Sequence, residues 1–260
     1  MKRLLIAVLV AAFAVTSFAR EDVNTLVVTP GNLLGWSTAD TQPGGTVGLI
    51  LDSSAPGGTG ALQLTTDSTT AAKAQFLHAA TAPLAEVTDL SYFSKQVSSP
   101  LFNGGAPSFQ LAVYLCGTSG FTTFVFEPYQ NGSVTPGVWQ FWDVAATGQL
   151  WSTKTVSCTG AGTVNAGGGG APFYTLADLQ AAFPAAMVLG FGVNIGSNNP
   201  SYDVEADLVR FNDIIYDFEV YSTATDPEAC KKGGWSTFEP PTGPYKNQGE
   251  CVSAAVQHQQ

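Results

Sequence analysis

The sequence predicts an all-β protein: a two-sheet jelly-roll β-sandwich with one short helix and a disulfide-stapled C-terminal tail. Three observations predict it. Apolar and polar residues alternate with period 2 in short segments that recur along the chain. Turn-forming residues punctuate those segments, as at Gly57-Gly58, Asn103-Gly104-Gly105, Asn131-Gly132 and Asn198-Asn199-Pro200. Glycine, threonine, serine and valine are abundant and lysine is scarce, a composition that disfavours helices.

The elements follow in order. Expected strands are Thr25–Val28, Val47–Asp52, Ala61–Thr66, Ala74–His78, Thr88–Ser94, Ser108–Leu115, Thr122–Glu127, Gly137–Asp143, Trp151–Val156, Met187–Ile195, Tyr202–Phe211 and Ile214–Val220. Many short strands and few helices indicate two packed sheets. One helix is expected after Thr175, where Asp178 stands at the position of a capping box usually held by Glu or Gln. Leu176, Leu179 and Phe183 share its face, and Pro184 ends it. A short helix of this kind serves as a lid or plug on a sheet.

The organisation expected along the chain is a leader at 1–19, a sandwich at 20–221 and a tail at 222–260. Lys2 and Arg3 precede an apolar run from Leu4 to Ala14 that is too short to span a bilayer, and Ser17-Phe18-Ala19 is a small-x-small cleavage signal. No later stretch has the length and apolarity of a membrane helix. The expectation is a chain secreted, or placed in the periplasm or on the cell surface. In the tail, Pro240, Pro241 and Pro244 favour an extended path.

Charge excludes some partners. Without Lys2 and Arg3 the chain has 8 basic residues against 20 acidic ones, a formal charge of −12. Binding to nucleic acid or an anionic membrane releases counterions through cations that this chain lacks. No charged residue occurs from Gln96 to Phe126 or from Thr155 to Ala177. Export makes disulfides the expected state of Cys116, Cys158, Cys230 and Cys251. Of the three pairings four cysteines allow, the favoured one joins Cys230 to Cys251 within the tail and Cys116 to Cys158 between strands. Zinc is disfavoured: paired Cys-x-x-Cys ligands are missing, and the two histidines are His78 and His258.

Two constellations are candidate sites. The first is Asp203, Glu205 and Asp207, which share one face of a strand while Val204, Ala206 and Leu208 share the other. The simplest reading is an outer strand with a solvated, salt-screened side. A second reading is catalytic: Glu205-Ala206-Asp207-Leu208-Val209 resembles the Glu-x-Asp core of laminarinase- and lichenase-type β-glucanases, also jelly rolls. A retaining mechanism needs two carboxyls about 5–5.5 Å apart, and Phe211 stands where the resemblance calls for the acid/base Glu. The chain is therefore expected not to be an enzyme. A third reading is a structural calcium ion, because Ala206-Asp207-Leu208-Val209-Arg210-Phe211 is similar to a late-strand pattern of jelly-roll carbohydrate-binding modules, with Asp207 as the ligand.

The second constellation is aromatic. Trp139, Trp142 and Trp151 fall within thirteen residues. Trp139, Phe141 and Asp143 alternate with Val138, Gln140 and Trp142, so one face is core and the other an available strip for stacking against sugar rings. Trp139, Gln140, Trp142 and Trp151 are the candidate ligand-binding residues; the competing reading packs all three rings into the sandwich. Gly-x-Ser-x-Gly and phosphate-binding glycine loops are missing.

From Thr29 to Glu219 the chain resembles a group of secreted bacterial jelly-roll proteins of unassigned role. The residues that carry this are Gly137-Val138-Trp139-Gln140, Trp142-Asp143, Trp151, Val188-Leu189-Gly190-Phe191-Gly192-Val193-Asn194 and Tyr216-Asp217-Phe218-Glu219. Cys230-Lys231-Lys232-Gly233-Gly234-Trp235 and Tyr245-Lys246-Asn247-Gln248-Gly249-Glu250-Cys251-Val252 are similar to a cysteine-closed tail of exported bacterial proteins. The fold is shared with carbohydrate-binding modules and concanavalin-like lectins. The sandwich pattern, the clustered tryptophans and the missing acid–base pair point to a non-catalytic extracellular module for a glycan or another surface polymer; the alternative is a structural or adhesive surface protein, and a third is a divergent glucanase.

Overall fold

The computed structural model describes residues 23–100, 104–221, 223–238, 240 and 245–257. The leader expected at 1–19, Pro241 and Pro244 lie outside the described residues. Sixteen strands are found among those described: β1 Asn24–Val28, β2 Trp36–Ser37, β3 Gly45–Leu51, β4 Gly60–Thr66, β5 Ala74–Pro83, β6 Leu90–Ser98, β7 Ser108–Tyr114, β8 Phe121–Phe126, β9 Gln140–Asp143, β10 Leu150–Ser152, β11 Val156–Cys158, β12 Gly162–Val164, β13 Phe173–Tyr174, β14 Met187–Ile195, β15 Asp203–Phe211 and β16 Ile214–Phe218. The helices are α1 Pro128–Asn131, α2 Val144–Thr147, α3 Leu176–Ala182 and α4 Gln248–Gln257.

Two seven-stranded sheets form the sandwich. In the first, β15 is central. One edge pairs with β6, which continues to β9; the other edge is divided between β4, opposite Asp203–Ala206, and β16, opposite Val209–Phe211. The division falls at a bulge where Leu208 has a positive φ of 48°. Beyond β4 lies β3, and beyond β16 lies β1, in parallel. The second sheet runs β13-β10-β8-β7-β14-β5-β2. Strands β11 and β12 make a separate hairpin.

Alternation dictates the core. Phe109, Leu111 and Val113 of β7 point inward against Leu62 and Leu64 of β4, Tyr92 of β6, and Val204 and Ala206 of β15. Trp36 stacks on Phe76 and meets Phe218 edge-on, so the ends of both sheets share an aromatic cluster.

The expected helix is α3. Thr175 Oγ1 accepts from the Asp178 N–H, and the Asp178 carboxylate accepts from the Thr175 N–H, so aspartate completes the capping box. Leu176, Leu179 and Phe183 are buried in the main core. Gln180 Nε2 donates to the carbonyls of Leu84 and Val87, which fixes the helix as a plug over the end of the sandwich.

Three expectations need correction. The segment 137–143 is not all strand: Gly137 has a φ of 73°, and pairing begins at Gln140. The segment 151–156 breaks into β10 and β11. The tail is not simply extended, because it contains α4 and a short 3-10 turn at Gly234–Thr237. Cys230 and Cys251 are disulfide-bonded there, at the centre of a separate small core with Ala224, Tyr245 and Ala255. Cys116 and Cys158 form the second disulfide, which ties the end of β7 to the β11–β12 hairpin.

Candidate binding groove and the buried charge cluster

The outer face of the second sheet is concave enough to hold two adjoining cavities of about 480 Å³ each. Gln110 and Thr153 line both, so the two form one groove that crosses β10, β8, β7, β14 and β5. Strand alternation puts its residues there: Gln110 lies between the inward Phe109 and Leu111, and Thr123 between Thr122 and Phe124. Five strands at about 4.8 Å spacing span roughly 19 Å.

The floor is polar and pre-organised. Ser108 Oγ donates to Asn194 Oδ1 at 2.6 Å, and the Asn194 amide reaches Gln75 Oε1 at 3.5 Å, so three buried side chains from three strands hold one another. Trp151 forms one wall. It pairs across to Val125 and Phe173, and Gly167 crosses beside it so closely that a Cβ there would stand 2.8 Å from the Trp151 Cβ. The glycine run is held at the rim by Gln130 Nε2, which donates to the Gly169 carbonyl, with Tyr129 beside it. Glu127 lies under this end. Burial pushes its carboxyl up to about 7.

Of the four candidate ligand-binding residues, Trp139, Gln140, Trp142 and Trp151, only Trp151 lines this groove. Trp142 is 8% exposed and belongs to the core; its Nε1 donates to Ser94 Oγ at 2.9 Å. It has no face to offer a ligand. Gln140 braces its own loop, accepting from the Thr135 N–H and donating to the Ser133 carbonyl. Trp139 lies over the outer face of the first sheet, where its Nε1 donates to Asp52 Oδ2 at 3.0 Å. Trp139 precedes β9 and Trp142 is within it, and the groove is on the opposite sheet. Gln110, Glu127, Tyr129 and Asn194 were missed; the polar residue inside the apolar run Ser108–Leu115 was the available signal.

The row of carboxylates is not a solvated edge. Because β15 is central, Glu205 is 5% exposed and Asp207 0%. Lys95, directly opposite Glu205 on β6, ion-pairs with Glu205 and with Asp52, which follows β3. Trp139 roofs the ammonium, with Lys95 Nζ 5.1 Å from the ring centroid. Burial raises the Asp52 carboxyl, but Lys95, Ser54 and Trp139 outweigh it and hold the group well below the usual carboxylate range. Burial lowers Lys95, and the two carboxylates more than reverse that; Glu205 is raised by burial. Neither cavity of the groove is lined by Glu205 or Asp52.

Asp207 sits at the fork of β4 and β16. Its Oδ2 accepts from the Gly57 N–H at 3.0 Å and its Oδ1 from the Phe218 N–H at 3.1 Å. Burial pushes the carboxyl up to about 8, despite these donors. A hard cation needs ionised oxygens pointing at a shared centre. Each Asp207 oxygen accepts one backbone N–H, and among the described residues no group of three or more His, Cys, Asp or Glu is placed to hold a metal. Asp207 joins the strands through these two bonds, and the buried Oδ1 of Asp217, which has no hydrogen-bond partner, lies beside it at Gly57.

No family model and no curated protein matches the chain. Among solved structures it is similar in fold to carbohydrate-binding modules. The family 11 module of the cellulosomal cellulase Lic26A-Cel5E of Clostridium thermocellum gives a TM-score of 0.41 at 15% identity, over 71% of this chain and 91% of that one. A family 11 module from the same organism, in complex with a beta-1,3-1,4-mixed-linked tetrasaccharide, gives 0.41 at 15% identity, over 72% and 91%. The CBM22-1 xylan-binding domain of Paenibacillus barcinonensis Xyn10C gives 0.34 at 16% identity, over 71% and 88%. At these TM-scores the likeness carries no argument about the groove.

Proposed function

We propose that the protein is a non-catalytic extracellular binding module for an uncharged glycan, which lies in the groove of the second sheet with Trp151 as its stacking platform. The observation that carries this reading is the groove itself: an open channel walled by an aromatic ring and floored by amides and hydroxyls. Sugar rings present apolar faces to aromatics and hydroxyls to such groups. The cavity beside Trp151 has one charged lining residue, Glu127, and the other has Asp40, Lys73 and His78, with no concentration of one sign. Glu127 has no carboxylate partner among the residues lining the groove at its end, so an acid–base pair for glycosyl transfer is missing.

A glycan-array screen and affinity electrophoresis in neutral polysaccharides, each with and without chelator, test the proposal. Binding that falls at least about tenfold in Trp151→Ala, the order expected for loss of one stacked ring, supports it. No binding by the wild type in any arm overturns it and favours the structural or adhesive reading. Binding lost on chelation would point to a metal that supports the site, and equal binding in both arms to a groove that works without one.

A further inference from the structure

The Lys95–Asp52–Glu205 cluster has no part in the groove. Its three side chains are 12%, 13% and 6% exposed, and they bring one ammonium and two carboxylates into a poorly hydrated site. An ion cluster of net charge −1 in such a place carries a large desolvation cost. The arrangement of donors is also specific. Asp52 Oδ1 accepts from the Ser54 N–H at 2.9 Å and from Ser54 Oγ at 2.7 Å, while Oδ2 faces Lys95 Nζ and the Trp139 N–H. Glu205 reaches the same ammonium, at 2.5 Å, from the strand opposite.

We propose that Lys95 and Asp52 are joined by an intramolecular isopeptide bond, formed with Glu205 as proton relay. The ammonium first gives a proton to Asp52, leaving an amine and a carboxylic acid. The Nζ lone pair attacks Cγ of Asp52; the N–C bond forms, and the carbonyl π pair moves to Oδ1, where the two Ser54 donors hold the developing negative charge. Glu205 takes a proton from Nζ and passes it to the Oδ2 hydroxyl. The pair on Oδ1 returns, the Cγ–Oδ2 bond breaks and water leaves. One ammonium and one carboxylate become one secondary amide and one water, and Glu205 ends as it began. The reaction removes a buried charge of each sign. The bond would staple β6 to the chain leaving β3, across β15 and β4, and so cross-link most of the first sheet.

Trypsin mapping of the reduced and alkylated full chain tests this. Trypsin does not cut after an acylated lysine, so the wild type is expected to give a branched peptide: 74–154 joined to the Asp52-containing peptide that ends at Lys73. Its mass is expected to lie about 18 Da, one water, below the sum of the two parts. Glu205→Gln and Lys95→Arg are expected to give only unlinked peptides at full mass. The first of these variants shows the relay. Complete cleavage after Lys95 in the wild type, with the Asp52 peptide at full mass, overturns the proposal and leaves an ionic triad. A bond that forms equally in Glu205→Gln overturns the relay role. The decisive reading is on the wild type and does not depend on any variant folding.

Discussion

The indole N–H of Trp142 donates to the hydroxyl of Ser94 across 2.9 Å, inside the core where β9 meets β6. This contact separates two tryptophans that lie close together in the sequence. Trp142 is a packing residue with a satisfied polar handle. Trp151, on the other sheet, turns its ring toward the groove.

The two are therefore expected to respond differently to truncation. Trp142→Ala removes a large core ring and orphans Ser94, and costs about 3–5 kcal/mol of stability. Trp151→Ala costs about 1–2 kcal/mol, the ordinary range for a substitution outside the core. Urea unfolding followed by circular dichroism checks both. A Trp142 variant as stable as the wild type would contradict the burial.

Stability is expected to fall as pH rises from about 4 to about 8. Burial raises Asp207 to about 8, Glu127 to about 7 and Asp217 to about 6 in the folded chain. In the unfolded chain such groups titrate near 4. Over that window the unfolded chain releases protons that the native chain keeps, so it binds fewer protons and the slope is negative. Below about pH 4 the sign reverses, because Asp67 and Asp178, lowered by hydrogen bonds from Thr69 and Thr175, and Asp52 then lose the stabilisation of their charged forms. Melting temperatures measured at about pH 4.5, 6 and 8 are expected to decrease in that order; a rise would overturn the assignment of these carboxyls.

The tail is expected to depend on its own staple. Replacing Cys230 and Cys251 together by serine removes a link worth about 3 kcal/mol in the chain-entropy model. The disulfide sits at the centre of the small cluster formed with Ala224, Tyr245 and Ala255. Hydrogen exchange is expected to lose protection over 248–257 while the main unfolding transition stays where it was. A lower melting temperature of the sandwich would show that the tail supports it.

Much of the architecture is legible in local pattern. Period-2 runs located most strands because a strand exposes alternate residues to core and surface, whatever it pairs with. Thr175 and Asp178 announced α3 because capping is settled within one turn. The sequence alone also determined that Val204 and Ala206 point away from Asp203, Glu205 and Asp207, and the cysteine pairing it favoured is the one found. Only the tertiary structure decided what each face meets. Asp203, Glu205 and Asp207 looked like a wet edge; β15 is central, and Lys95 from β6, Asp52 beyond β3 and the Gly57 and Phe218 amides close over it. The groove is likewise assembled from Gln75, Gln110, Thr123, Trp151 and Asn194, on five strands far apart in the chain. Alternation is a property of one strand. Pairing partners and covering loops come from other chain segments, as far apart as Gly57 and Asp207, and those set burial, charge and access.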